Sequence, residues 1–173
     1  VVNALSRKTF VEVRRDNKVY RQDYERGIPK GTLKTTPEPK QQHTGTTTSF
    51  LADDEIFDAV DYDYDQLLQR FREMAYLTKG IWIRFEDRRP GRERDMNFCF
   101  EGGVASFVRH VNKGRNTLSP RPIYIEKTVE TTQIEAAIQY NDAFAQVEFS
   151  FANTINTIDG GAHLTGFRSA LTR

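Results

Sequence analysis

Apolar and polar side chains alternate along the first part of the chain. Residues 9–15 follow the two-residue period of a half-buried strand, and extended character resumes over residues 19–24. The turn-type residues between these segments predict a β-hairpin. Residues 27–43 contain several prolines and glycines, which predict a long exposed connection with one or two short extended pieces. The β-branched run at residues 44–50 predicts a third strand.

A helical period replaces the alternation over residues 61–79. Apolar residues recur there at spacings of three and four, with arginines and acids on the other face, and Gly80 ends the pattern. The remaining expected elements are strands at residues 81–85, 96–100, 123–129, 133–140 and 145–151, and helices over residues 102–112 and from residue 164. Hairpin-paired strands with helices between the groups define an α+β fold, with a joint near residues 88–95.

Length and charge narrow the class of protein further. The 173 residues carry a formal net charge of +1, with 28% charged and 38% hydrophobic residues, so no overall basic field indicates nucleic-acid binding. Cys99 is the single cysteine, which excludes an intramolecular disulfide, and its two phenylalanine neighbours predict a small core residue. No apolar run approaches the length of a membrane span. Both ends have the pattern of structured elements, and we expect an internal part of a longer protein.

The residues that could carry chemistry are few and scattered. The three histidines have no metal-ligand spacing, and for His163 a hydrogen bond that stabilises its loop is favoured over a catalytic role. Asp61, Asp63 and Asp65 resemble a site for a hard cation, but their place before the helix favours N-terminal charge complementarity. Gly45 either lets the backbone approach a ligand closely or simply opens a strand. By themselves these residues predict an α+β fragment and no particular reaction.

A set of strings, taken in order, resembles the ATPase subunits of bacterial type II topoisomerases, gyrase B and its topoisomerase IV counterpart. They are VVNALS at residues 1–6, RDNK at 15–18, HTGT at 43–46, RFREMAYLTKG at 70–80, FEGG at 100–103, and NTINT followed by GGAH within 153–163. Asn17 and Ala162 depart from this family's usual Gly and Thr. The resemblance implies the second half of a GHKL-type ATPase domain at residues 1–95, followed by the start of a ribosomal-S5-like transducer domain at residues 96–173.

The resemblance also implies one wall of a nucleotide pocket. Thr46 matches a threonine that bonds, with water, near the adenine edge, and Arg15 matches an arginine at the pocket mouth, where inhibitors bind. Thr48 takes a pocket position that is more often valine, and Asn3 and Gly45 are supporting residues. The family's catalytic glutamate, Mg²⁺-binding asparagine, adenine-binding aspartate, phosphate loop and γ-phosphate lysine match nothing in this chain. We therefore expect no catalytic residue, no metal site, and no ATP turnover by the isolated chain.

For the parent protein, the resemblance implies ATP and Mg²⁺ as cofactors, neither held tightly by the isolated chain. It implies the gyrase A subunit, DNA and a second B subunit as partners, a cytoplasmic location, and no membrane. ATP binding would close two subunits around a DNA segment, and hydrolysis would reset them.

Two other classes of protein stay open at this stage. One is an S5-like nucleic-acid-binding module without an ATPase half, against which the interspersed charge argues. The other is a different GHKL ATPase, such as a mismatch-repair protein, against which the string at residues 153–163 argues. Within the resembled family, gyrase is favoured over topoisomerase IV.

Overall fold

A computed structural model describes residues 1–40 and 43–173 of the chain. These residues divide into two compact units, Val1–Tyr62 and Asp63–Arg173. The first unit contains strands and turns, and the second contains helices and strands, as expected for an α+β protein. None of the helices in the described part of the chain has the length and apolar character that a bilayer crossing requires.

The first unit is an antiparallel sheet. Its strands are β1 (Ser6–Arg15), β2 (Lys18–Glu25), β3 (Ile28–Pro29), β4 (Lys34–Pro37) and β5 (Gly45–Ala52). They follow the order β3-β2-β1-β5, and β4 also pairs with β2. The predicted hairpin is β1–β2, closed by Asp16 and Asn17, both at positive φ (54° and 55°). Asp and Asn tolerate this left-handed conformation, which twists a two-residue turn in the sense that paired strands need.

The connection at residues 27–43 contains two short extended pieces, as expected, because β3 and β4 both pair with β2; Gln41 and Gln42 lie outside the described residues. The string at residues 1–6 resembles a helix of the family, but here it forms a single turn, in which the Leu5 amide bonds to the Val1 carbonyl at 3.1 Å. Ser6 closes that turn through its hydroxyl and then begins β1 by pairing with Ala52.

The second unit opens with the strongest sequence pattern of the chain. Its elements are α1 (Tyr64–Leu77), β6 (Trp82–Asp87), β7 (Arg94–Cys99), α2 (Gly103–Val111), β8 (Ile123–Val129), β9 (Thr132–Ile138), β10 (Phe151–Ala152), β11 (Ile155–Asn156) and α3 (Ala162–Leu171). Asp63 caps α1, since its carboxylate accepts from the Gln66 amide at 3.0 Å. Asp65 lies in the first turn. The aspartates before this helix therefore act on its N-terminus, as predicted.

Aromatic side chains form the core of the second unit. Tyr64, Tyr76, Phe98 and Phe107 are buried, and Ala75 is fully enclosed. Tyr76 stacks on Phe100 with ring centroids 3.7 Å apart. Such rings stabilise through their large buried area and their edge and face contacts. This core joins α1, α2 and the β6–β7 hairpin.

Three further expectations meet the structure here. Residues 145–150 were expected in a strand, but no ladder pairs them in the described chain; their alternation instead directs Phe149 onto Phe107, with ring centroids 5.2 Å apart. Cys99 is exposed, not a core residue, because β7 turns Phe98 inward and its neighbour outward. The expected domain boundary between residues 95 and 96 falls inside β7, which pairs with β6 throughout.

Candidate functional site

One face of the first sheet collects the predicted pocket residues. Cross-strand pairs set Val13 beside Thr46 and Val11 beside Thr48, and Tyr20 pairs with Val13 from the other side. Paired residues share a face of the sheet, and so do residues two apart along a strand. We call the surface formed by Val11, Val13, Tyr20, Thr46 and Thr48 the threonine face.

The two threonine hydroxyls of this face are exposed to solvent and make no hydrogen bond within the described residues. Thr46 and Thr48 are both exposed, and neither side chain has a hydrogen-bond partner among residues 1–40 and 43–173. The neighbouring valines are half-buried. Half-buried valines beside two unused hydroxyl groups suit a heterocycle. Its ring can contact the valines, and its polar ring atoms can bond to the hydroxyls.

Arg15 lies at the end of the same face. It stands two residues beyond Val13 on β1, and its side chain is 68% exposed. Its guanidinium lies 5.9 Å from the centroid of the Tyr20 ring, and its Nε is 3.5 Å from the Asp16 carboxylate. These are weak surface contacts, so the guanidinium is available to a ligand at the hairpin end of the face.

The opposite face of the same strands is of a different kind. Glu12 lies 3.1 Å from Arg14 and 3.6 Å from Arg21, and Arg21 continues the chain of charges to Asp23 at 3.0 Å. Lys34 of β4 ends it, 3.6 Å from Asp23. We call these five side chains the charged face. Their charges pair with one another, whereas the threonine face keeps its polar groups unused.

Gly45 and Asn3 stand apart from the threonine face. Gly45 opens β5 opposite Arg14, and a Cβ there would meet nothing within 4 Å. Nothing in the described chain therefore requires glycine at this position, which agrees with a plain strand entry. Asn3 lies in the turn before β1, half-buried, and its Oδ1 is buried without a hydrogen-bond partner among the described residues. The structure thus brings together Arg15, Thr46 and Thr48 and leaves the two supporting residues beside them.

Thr9, which the sequence reasoning did not single out, also lies on the threonine face. It pairs with Phe50, two residues before Val11, and therefore shares the threonine face. It is 7% exposed, and its Oγ1 is buried without a hydrogen-bond partner in the described chain. Burying an unpaired hydroxyl is unfavourable, which makes this atom a natural acceptor for a water or a ligand group. A threonine in the alternation of Val11 and Val13 is the signal that could have identified it.

An ion pair joins the ends of two strands of this sheet. Asp53, just beyond β5, is 1% exposed and accepts from Arg26, just beyond β2, at 2.6 Å and 3.3 Å. The Arg26 hydrogen bonds are the main reason why the pKa of the Asp53 carboxyl lies below its ordinary value, helped by the Glu55 amide. The Arg26–Asp53 pair holds the ends of β2 and β5 in register beside the central strand β1.

Metal chemistry finds no support in the described residues. No group of three or more His, Cys, Asp or Glu side chains there is arranged to hold an ion. His163, in the first turn of α3, has its Nε2 3.3 Å from Oγ1 of Thr157 in the loop that precedes the helix. This contact agrees with the stabilising role favoured from the sequence.

The chain is similar to DNA gyrase B proteins both in sequence and in fold. The sequence model of the family described as DNA gyrase B matches residues 103–173. The DNA gyrase B protein of Halalkalibacterium halodurans is 44% identical and that of Enterococcus faecalis is 42% identical, each matched by 100% of this chain over 27% of its own length. The chain thus spans about a quarter of these relatives.

A solved structure extends the match to three dimensions. The 43K ATPase domain of Thermus thermophilus gyrase B, crystallised in complex with an aminocoumarin, superposes with a TM-score of 0.86 at 36% identity, over 97% of this chain and 45% of that one. The fold is therefore that of part of the GHKL ATPase region of bacterial type II topoisomerases. More narrowly, the whole chain is similar to DNA gyrase B proteins, and its second part matches the DNA gyrase B family model. These matches favour that reading over the two alternative classes drawn from the sequence.

Proposed function

We propose that this chain is part of the ATP-binding component of a DNA gyrase, in which ATP binding and hydrolysis drive DNA strand passage and supercoiling. Within that component, the threonine face is one wall of the nucleotide pocket. The observation that carries the proposal is the alignment of two exposed, unpartnered hydroxyls with two valines on the face that also presents Arg15 in the described chain.

Each residue of the wall has a role that its position supports. Thr46 bonds the adenine edge together with an ordered water, and Thr48 adds a polar group to the floor beside it. Arg15 binds at the pocket mouth, where a charge-assisted hydrogen bond gains strength over a neutral one. Asn3 and Gly45 support the wall from either side.

Two cofactors follow from the proposal. ATP fits the wall, because unused hydroxyls and an orphaned buried acceptor are the groups that a bound nucleotide or its water would satisfy. For Mg²⁺ the described residues offer no ligand cluster, so in the proposal other parts of the parent protein hold the ion. Its chemistry would be to neutralise charge on the phosphates.

The proposed partners are those of gyrase B proteins. They are the gyrase A subunit, DNA, and a second gyrase B chain that dimerises with the first on ATP binding, and the proposed location is the cytoplasm. We further propose that the ATPase half occupies residues 1–95 and the transducer domain begins at residue 96. The start of the family match at residue 103 supports a boundary close before α2. First tryptic cleavage within residues 89–95 would support it, and first cleavage within α1 would contradict it.

The test of the pocket wall uses neighbouring threonines of one strand. In the full-length parent protein, Thr46→Ala is expected to weaken binding of a non-hydrolysable ATP analogue roughly tenfold, because a buried polar contact contributes about 1–1.5 kcal/mol. Thr47→Ala is the matched control, since Thr47 is exposed and points to the opposite face. Isothermal titration measures both variants.

The two variants separate the outcomes. Unchanged affinity in Thr47→Ala together with a clear loss in Thr46→Ala supports the wall. Equal losses in both, or no loss in Thr46→Ala, would show that nucleotide does not contact this face.

A further inference from the structure

Lys79 connects three elements of the second unit. It follows the C-terminal cap of α1, and its Nζ donates to the Tyr124 hydroxyl at 2.5 Å and to Glu126 at 3.1 Å, both on β8. The same ammonium lies 3.5 Å from Glu135 on β9. Its pKa is raised, first by the hydrogen bond to Tyr124. Lys79 therefore carries its charge throughout the physiological range.

The two glutamates need that charge. Glu126 and Glu135 are direct cross-strand partners in the β8–β9 hairpin, and like charges in that position destabilise a strand pair. Glu135 Oε2 is also buried and accepts no hydrogen bond among the described residues. Gln133 of the same hairpin donates to both glutamates, at 3.1 Å and 3.4 Å, but carries no charge. The ammonium between the two carboxylates converts a repulsive pair into an attractive triad.

Gly103 makes room for the lysine. It opens α2 at a φ of +54°, and a Cβ built there would lie 2.7 Å from both Cγ and Cε of Lys79. A side chain at this position would displace the lysine stem. The start of α2, the end of α1 and the β8–β9 hairpin therefore meet on one residue. We call Lys79, Gly103, Tyr124, Glu126 and Glu135 the lysine clamp.

We propose that Lys79 is a positioning residue that makes the β8–β9 hairpin move with α1. Resting on the proposed function, this means that Lys79, in the ATPase half, passes the nucleotide state to a hairpin of the transducer domain. The clamp acts through charge: it holds the hairpin where α1 stands, while neither Lys79 nor its partners belong to the threonine face.

The experiment compares lysine variants in the full-length protein. Lys79→Met keeps the aliphatic stem over Gly103 and removes the charge, and Lys127→Met, an exposed lysine of the same hairpin, is the matched control. Hydrogen exchange of residues 123–138 is expected to quicken roughly fivefold in Lys79→Met, as the loss of several weak charge contacts implies. It is expected to be unchanged in Lys127→Met. ATP-analogue affinity should be unaltered in both variants, while the DNA supercoils introduced per ATP hydrolysed should fall in Lys79→Met.

A second change distinguishes coupling by charge from simple damage. Lys79→Met combined with Glu135→Gln removes the repulsion and is expected to restore slow exchange, and Lys79→Arg should retain most of it. Unchanged exchange in Lys79→Met, an equal change in Lys127→Met, or no restoration by Glu135→Gln would overturn the clamp. A wild-type parent that neither hydrolyses ATP nor supercoils DNA would instead overturn the proposed function and the coupling role, while the exchange data still decide whether Lys79 holds the hairpin.

Discussion

The two units of this chain bury opposite kinds of side chain. In the described part of the first unit the buried residues are Ser6, Thr9 and Asp53, whereas in the second they are mainly Ala75 and four aromatic residues, with Asp87 and Asn112 beside them. An aromatic core stabilises a unit from within. A sheet whose buried groups are polar, and whose valines are half-covered, is built to be completed by something placed on it. The comparison therefore separates a unit whose few buried side chains are polar from a unit stabilised by an aromatic core.

The largest expected effect concerns catalysis by the isolated 173-residue chain. The threonine face offers hydroxyls and a cation but no general base and no phosphate loop among the described residues, and these groups supply nearly all of the catalysis in phosphoryl transfer. We expect no Mg²⁺-dependent ATP turnover above the blank in a coupled assay of highly purified chain. Steady turnover that follows the chain through purification would show that the first unit is a complete site.

Core substitutions should separate the units by stability. Phe107→Ala removes a buried ring that contacts Tyr76 and Phe149 and should lower the free energy of unfolding by about 3–5 kcal/mol. Val13→Ala, on the half-buried threonine face, should cost about 1 kcal/mol. Denaturant titrations of both variants provide the measurement. Comparable losses would mean that the first unit has an apolar core of its own.

Arg15 tests whether the open face serves binding more than folding. Arg15→Ala removes a side chain that is 68% exposed, so the melting temperature should hardly change. Its loss should weaken the binding of pocket-mouth inhibitors to the parent protein by about 1.5–3 kcal/mol, roughly tenfold to hundredfold, because a charge-assisted hydrogen bond from the guanidinium is removed. Calorimetric titration beside thermal melts measures both. Normal binding, or a large loss of stability, would make Arg15 a structural residue.

The smallest expected effect is a loss of thermal stability at low pH, to which Asp53 of the first unit and Asp87 of the second contribute over different pH ranges. Arg26 holds the pKa of Asp53 below its ordinary 3.8, and Arg89 holds the pKa of Asp87 at about 2. A lowered carboxyl pKa stabilises the fold above the unfolded value, and this contribution is lost as pH falls through the folded one. Melting temperatures should therefore decline below about pH 4, and for the Asp87 contribution the decline should continue towards about pH 2.

Substitution of each aspartate tests that assignment. Asp53→Asn and Asp87→Asn should each flatten part of the decline while lowering the melting temperature at about pH 7. A melting temperature as pH-dependent in the double variant as in wild type would assign the acid sensitivity to other carboxyls.

Periodicity predicted the elements whose determinants lie close together in the chain. The α1 helix, its aspartate cap and the β1–β2 hairpin all follow from local spacing. Residues 145–150 misled the prediction, because an alternating pattern produces the same inward aromatics whether or not a strand partner is present. Cys99 misled it for a related reason: its neighbours Phe98 and Phe100 are apolar, but β7 directs adjacent side chains to opposite faces.

The residues of the candidate site also fall into those that the sequence could identify and those that only the structure could. Family resemblance identified Arg15, Thr46 and Thr48, and the sheet register then brought them together. Thr9 left a signal in the alternation of β1, but the lysine clamp could not be predicted, because its meaning depends on long-range contacts. Lys79 is one basic residue among many until β8 and β9 place two carboxylates beside it, and no spacing within the sequence links these segments.

The charged face also determines which side of the first unit can take part in assembly. Within the sheet, ion pairs join three basic residues to two acidic ones, namely Glu12, Arg14, Arg21, Asp23 and Lys34. A protein approaching this side would have to strip water from paired ions and break their contacts before gaining any of its own. The two faces of the sheet therefore differ in what binding costs. A molecule that approaches the charged face must first desolvate and break ion pairs, whereas one that approaches the threonine face meets hydroxyl groups without hydrogen-bond partners in the described chain.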